Sequence, residues 1–196
     1  MKFKLHFLAG LMLIITFGIF SGCEKAASSP AFGFNYIDIP QSLVSGGSSL
    51  NYLVPTGFDT NTFNFSIDAV NNKVNVFLGV SCSGKAATDG YSVGITTRTD
   101  TVSQLISNGL IKVSPNQAKP VVLLPATAYS LPATVTVPGG QYAAPFYLTI
   151  DKTILKTYAG QKVALCVVLA STTNYQLSPT NSQVIIIIDV DSLNLP

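Results

Sequence analysis

The sequence predicts an all-β protein, an immunoglobulin-like antiparallel β-sandwich of about nine strands with two short helical turns. Polar and apolar residues alternate in several short runs, such as residues 62–68 and 133–137, which is the period of a strand with one buried face. Glycine, proline and asparagine separate these runs, as turns require. No segment has the period of a long amphipathic helix. A closed β-barrel is the alternative architecture.

The strands are expected in an order that can be followed along the chain. The expected strands are residues 32–39, 50–54, 62–68, 73–80 and 91–97, three within 121–150, and then 161–170 and 184–190. Asn71 and Asn72 are expected to turn the third of these strands into the fourth as a hairpin. The run 184–188 is entirely β-branched, so we expect this strand to be covered on both faces.

Two helical connections are predicted from a shared spacing. Asp100 precedes Gly109 by nine residues, and Asp151 precedes Gly160 by nine residues. Aspartate is a good residue to begin a helix and glycine a good one to end it. We therefore expect a short capped helix in each segment, and we expect each to carry the chain from one sheet to the other.

The segment 121–150 carries the clearest turn signal. Alternating residues at 133–137 are followed by Pro138, Gly139 and Gly140, and a second apolar run follows at 146–150. This pattern indicates a hairpin-like unit of strand, tight turn and strand.

The first 22 residues have the pattern of a bacterial lipoprotein signal peptide. Lys2 and Lys4 precede an apolar run at 7–20, which is shorter than the roughly 20 residues of a membrane span. Small residues then precede Cys23, which resembles a lipobox and implies cleavage before Cys23 and a diacylglycerol on its sulfur. An uncleaved N-terminal anchor is the alternative, and it would also place the domain outside the cytoplasm.

The predicted organisation follows from this leader. It comprises a lipoprotein signal peptide at 1–22, the lipidated Cys23 with a polar tether at 23–31, and a single β-sandwich domain at 32–196. We expect an outer-membrane lipoprotein of the cell envelope, held to the membrane by its N-terminal lipid, on the surface or the periplasmic face.

Composition excludes several classes of function. Without the leader, nine basic residues balance nine acidic ones and no basic run is left, so no nucleic-acid partner is expected. The only histidine, His6, lies in the leader, which leaves no Ser-His-Asp or Cys-His catalysis and no histidine-bearing zinc site. Asp189 and Asp191 could offer two oxygens to calcium, but such a site needs six to eight. We expect no enzyme, no cofactor and no metal.

Two cysteines follow the lipid site. Cys82 and Cys166 both lie in strand-like runs. An exported protein can form disulfides, so the pair is a candidate bridge. The alternative is two small buried residues on separate strands.

The residues around the central segment also carry a resemblance to a known family. They are Leu123, Leu124, Pro125, Tyr129, Leu131, Pro132, Thr136, Gly140, Ile150, Asp151, Leu155 and Tyr158. This succession resembles the Bacteroidota lipoprotein domain called domain of unknown function 1735. The resemblance implies an N-terminal module of envelope lipoproteins linked to glycan capture, which a lectin-like, coagulation-factor-like or glycoside hydrolase domain often follows.

Three tyrosines are the candidate ligand contacts. Tyr52, Tyr142 and Tyr175 lie in loop-like surroundings beside asparagine or glutamine, and an aromatic ring next to an amide suits a sugar. The alternative is that these rings seal the ends or corners of the sandwich. We expect a non-enzymatic envelope lipoprotein that binds or presents a glycan or glycoprotein. A structural, adhesion or assembly protein acting through β-strand pairing with an envelope partner is the alternative.

Overall fold

The computed structural model describes residues 35–43, 51–59, 61–84, 89–111 and 119–196. These residues belong to one compact unit, Asn35–Pro196. The signal peptide, Cys23 and the tether lie outside the described residues. Within the described ranges, no helix has the length and apolar character needed to cross a membrane.

Twelve strands and three short helices make up the described part of the chain. The strands are β1 Tyr36–Asp38, β2 Asn51–Val54, β3 Phe65–Asp68, β4 Lys73–Cys82, β5 Tyr91–Thr97, β6 Val121–Leu123, β7 Tyr129–Ser130, β8 Thr134–Val137, β9 Ala143–Asp151, β10 Lys162–Thr172, β11 Gln176–Leu177 and β12 Gln183–Asp189. The helices are α1 Pro40–Leu43, α2 Thr99–Ser107 and α3 Lys152–Lys156, and 3-10 turns cover Ala126–Ala128 and Asp191–Leu193.

The strands form two sheets of six. Sheet I has the order β11-β1-β4-β9-β7, with β3 also paired to β4. Sheet II has the order β2-β12-β10-β5-β8, with β6 also paired to β10. The predicted all-β sandwich is confirmed. Most pairings are antiparallel, but β1–β11, β2–β12 and β6–β10 are parallel, and other elements separate the two strands of each parallel pair along the chain.

The predicted hairpin of β3 and β4 is confirmed. The two strands pair antiparallel with Ile67 opposite Val74. Asn72 takes the left-handed conformation at φ 56°, and the Asp68 carboxylate accepts the Asn71 backbone N–H at 2.9 Å. The turn therefore closes through asparagine and aspartate chemistry that suits short polar side chains.

Strand β12 is covered on both faces, as its β-branched run predicts. Ile186 and Ile188 point into the main core between the sheets. Ile185 and Ile187 point the other way and pack against Val102 of α2 in a second, smaller core. Helix α2 therefore seals the outer face of sheet II.

The two helical connections differ from each other. Asp151 caps α3 as predicted, accepting the backbone N–H groups of Thr153 and Ile154 at 2.9 and 3.1 Å. The capping role predicted for Asp100 is wrong, because α2 begins at Thr99 and Asp100 lies within its first turn. Helix α3 carries the chain from sheet I to sheet II, whereas α2 joins β5 to β6, which both pair with β10 in sheet II. The shared spacing therefore produces two different connections.

The central turn is confirmed, but the hairpin is not. Strand β8 pairs with β5 in sheet II, and β9 pairs with β4 and β7 in sheet I. Residues 138–142 thus carry the chain between sheets, with Gly140 at φ 79°. The turn residues set the bend, while the pairing partners are set by packing across the sandwich.

The two cysteines are free and buried. Cys82 belongs to the main core and Cys166 to the smaller core under α2, so sheet II lies between them. The candidate disulfide is therefore not formed. Burial raises the pKa of the Cys166 thiol to about 11.

Candidate functional site

Two of the three predicted tyrosines contact Tyr91 at one end of the sandwich. Strand β8 and strand β10 both finish at this end, and β5 begins there at Tyr91. Tyr142 lies just before β9, and Tyr175 lies between β10 and β11. We call the group of Tyr91, Tyr142 and Tyr175 the tyrosine end.

Tyr91 is the buried residue that supports this end. Its side chain is 3% exposed, and its hydroxyl donates to the backbone carbonyl of Tyr142 at 3.2 Å. The same carbonyl accepts the Cys82 backbone N–H at 2.8 Å. Burial raises the pKa of Tyr91, so the phenol keeps the proton that it donates.

Tyr175 is fixed by its neighbours. Its backbone has φ 67°, a left-handed conformation that is uncommon outside glycine. Its ring meets Tyr91 edge to face, with centroids 5.9 Å apart and an interplanar angle of 84°. The preceding Asn174 donates from its side-chain amide to the Gly90 carbonyl at 2.9 Å. These contacts hold the loop while Tyr175 stays partly open to solvent.

Gly90 is required where the loops meet. Its φ is +70°, and a Cβ there would lie 2.6 Å from the Val137 carbonyl oxygen and 2.8 Å from the Gly139 nitrogen. Only glycine fits this approach. The loop before β5 and the turn after β8 are therefore packed directly on each other.

Tyr142 presents the most exposed ring of the group. Its side chain is 56% exposed, yet its backbone carbonyl is held by both Tyr91 and Cys82. Because the backbone is held, only the side-chain torsions of Tyr142 need to be ordered when a ligand stacks on its ring. The tyrosine end therefore offers two partly exposed aromatic side chains on a preformed support.

Tyr52 does not belong to this group. It lies within β2, at the edge of sheet II opposite β8, and not in a loop. Its ring packs on the main core. Burial raises the pKa of its phenol, partly offset by a hydrogen bond to Asn64. This tyrosine therefore packs against the core at the edge of sheet II.

Charge is concentrated at the other end of the molecule. Strand β9 runs from Ala143, directly after Tyr142, to Asp151, which pairs with Lys73 at 2.9 Å. Lys119 pairs there with Asp189 at 2.6 Å and Asp191 at 2.8 Å. Lys119 therefore pairs with both carboxylates considered for calcium. In the parts of the chain that the structure describes, no three metal-ligating side chains cluster, and no ion pair lies at the tyrosine end.

Sequence reasoning did not single out Tyr91 or Tyr147. Tyr91 opens a strand directly after a glycine, which is a weak signal for a buried support. Tyr147 lies on the outer face of β9, 48% exposed, with its ring edge-on to Phe77 at 5.6 Å. It is an exposed aromatic residue that the alternation of β9 places outward.

A family model described as a "-like, N-terminal domain" matches residues 47–176. The match covers more than half of the chain. The chain belongs to this family. The residues of the central segment that resemble domain of unknown function 1735 lie within this match. No curated protein matches the sequence.

Solved structures from Bacteroides ovatus resemble this family member. A structural-genomics protein of unknown function has a TM-score of 0.51 and 16% identity, covering 78% of this chain and 46% of that one. A multidomain protein that includes DUF1735 has a TM-score of 0.49 and 14% identity, covering 78% and 43%. A protein whose name assigns it provisionally to carbohydrate binding has a TM-score of 0.49 and 11% identity, covering 78% and 36%. The chain spans less than half the length of these proteins.

Proposed function

We propose that this protein is a non-enzymatic binding module of the cell envelope, and that its tyrosine end captures a neutral glycan. The observation that carries the proposal is the pair of partly exposed tyrosines, Tyr142 and Tyr175, which both contact Tyr91 at an end where the described residues form no ion pair.

The chemistry of this end suits a sugar. The C–H face of a pyranose stacks on an aromatic ring, and its hydroxyls need nearby hydrogen-bonding groups. Asn174 uses its amide N–H on the Gly90 carbonyl, which leaves the amide oxygen to accept from a ligand hydroxyl. Gln141, exposed beside Tyr142, supplies a second amide. A neutral polyhydroxyl ligand matches these groups better than a charged one.

Anchoring by a lipid on Cys23 completes the proposed function. The eight residues 24–31 would reach roughly 25–30 Å when extended, at ~3.3–3.6 Å per residue. The domain would then work close to the outer membrane, with a glycan or an envelope glycoprotein as its partner. Mass spectrometry of the chain purified from membranes tests the anchor, since a diacylglycerol on Cys23 and an absent leader are expected. An unmodified cysteine or a retained leader would contradict it.

A glycan array probed with the full mature chain tests capture. We expect binding to neutral glycans, and an affinity at least tenfold lower in Tyr142→Ala and in Tyr175→Asn, which is a loss of about 1.4 kcal/mol. Asparagine is chosen at position 175 because it tolerates the left-handed backbone. Tyr147→Ala is the matched control, since it removes an exposed tyrosine on β9, away from the tyrosine end. Absence of any glycan binding, or equal loss in the control, would contradict the proposal.

A further inference from the structure

Strand β3 has an open edge. Its only pairing partner among the described residues is β4. The Phe77 backbone N–H of β4 donates to the Asn64 carbonyl at 3.0 Å. Because backbone groups alternate in direction along a strand, Ser66 then faces β4 while Phe65 and Ile67 turn their N–H and C=O groups outward. The edge therefore carries two donors and two acceptors that no described strand uses.

An apolar cavity lies beside this edge. Its volume is about 350 Å³, within the range of roughly 300–1,000 Å³ that is usual for binding pockets. Residues 63 and 65–67 line it on one side and residues 192–194 on the other. The Phe63 and Phe65 rings stack at 5.4 Å. No charged side chain lines it, so an apolar side chain would find no unpaired charge there.

Both walls of the cavity are held in place. Asn64 donates to the Leu53 carbonyl at 2.7 Å and accepts the Thr56 N–H at 2.8 Å, which fixes the chain as it enters β3. On the other wall, the Asn194 N–H donates to the Asp191 carbonyl at 3.2 Å, and Leu193 is 3% exposed. Contacts within the chain therefore hold both walls of the cavity.

We propose that this edge accepts an extended segment of a partner protein, which adds a strand to sheet I beside β3. Unpaired backbone groups and an adjacent apolar cavity are the two elements of recognition by strand addition. Side chains two residues apart share a face of a strand, so the segment carries apolar residues at alternate positions that enter the cavity. The residues between them are neutral and polar, beside the exposed Ser66. This partner surface is separate from the glycan site and does not depend on it.

Amide hydrogen exchange of the isotope-labelled full chain tests the proposal. The probe is the peptide acetyl-Thr-Val-Thr-Val-Thr-Val-Thr-amide. We expect its addition to slow exchange of the Phe65 and Ile67 amides at least tenfold. The Ser66 amide, already bonded to β4, serves as the internal reference and is expected to be protected before addition. Unchanged exchange at Phe65 and Ile67 under saturating peptide would overturn the proposal.

Methylated peptides test the same bonds without altering the protein. Methylating the backbone nitrogens of either the valines or the threonines removes one alternate set of donors. Which set of peptide N–H groups faces β3 depends on whether the peptide runs parallel or antiparallel to it. Methylating the set that faces β3 should lower the affinity at least tenfold, and methylating the other set should leave the affinity unchanged. Equal affinity of both methylated peptides and the parent would contradict strand addition.

A pair of protein variants adds a further control. Ile67→Pro removes an outward N–H without removing a bond to β4, and we expect it to weaken peptide binding at least tenfold. Thr136→Pro removes an outward N–H from the edge of β8 and should leave binding unchanged. Circular dichroism confirms that each variant is folded. An effect of Thr136→Pro equal to that of Ile67→Pro would show that the peptide does not bind at β3.

Discussion

Tyr91→Phe isolates the bond that organises the tyrosine end. The change removes the hydroxyl that donates to the Tyr142 carbonyl at 3.2 Å. That carbonyl keeps its bond from the Cys82 N–H, so no acceptor is left unpaired and the cost is that of one ordinary hydrogen bond, about 0.5–1.5 kcal/mol. For a domain of this size, each ~1 kcal/mol lowers Tm by roughly 2–4 °C.

Thermal and urea unfolding followed by circular dichroism measure this cost. Tyr91→Ala also removes the buried ring, and we expect a loss of about 3–5 kcal/mol. Tyr129→Phe is the control, because its hydroxyl meets the Thr97 hydroxyl at 3.3 Å, away from the tyrosine end. Glycan affinity should fall in Tyr91→Phe and stay constant in Tyr129→Phe. Wild-type stability and wild-type glycan affinity in Tyr91→Phe would refute the supporting role of Tyr91.

Three further predictions follow from burial. Burial raises the pKa of Asp38, more than the hydrogen bond from the Ser81 hydroxyl lowers it. The contribution of Asp38 to stability is therefore lost as the pH rises above ~4 through its folded pKa. Asp38→Asn should remove this loss, giving a higher urea midpoint at pH 7. The Cys166 thiol, whose pKa burial raises to about 11, should react with an aromatic disulfide reagent only after unfolding; reaction at the denatured rate under native conditions would contradict this. Ile186→Ala and Ile187→Ala should each lower the free energy of unfolding in urea by about 2–5 kcal/mol, because both faces of β12 are buried. A small loss for Ile187→Ala alone would mean that α2 does not seal the outer face of β12.

Local sequence patterns correctly predicted those features of the fold that depend on a single strand, namely its position and which of its faces are buried. The period of two placed β5 at Tyr91–Thr97, and the run of β-branched residues placed β12 under cover on both faces. The pairing of β8 with β9 was wrong because a Pro-Gly turn bends the chain whether or not the flanking strands join the same sheet. Pairing depends on contacts that are distant in sequence, which no local pattern records.

The site was predicted in part for a similar reason. Tyr142 and Tyr175 are separated along the chain, and the sequence shows an aromatic beside an amide at each. Their meeting around Tyr91 depends on β5, β9 and β10 reaching one end of the sandwich. Tyr52 carries the same local pattern but lies on an edge strand. An aromatic–amide pair therefore identifies candidates, and the topology selects among them.

Titration of the isotope-labelled chain with its tightest array glycan, followed by NMR, tests the central claim most directly. If the tyrosine end is the binding site, the largest shifts fall at Gly90 and Tyr91, at residues 139–142 and at residues 173–175. Tyr52 and the β3 edge should be unaffected. Shifts that cluster away from Tyr142 and Tyr175, or no shifts at a glycan concentration that saturates the array signal, would contradict the account.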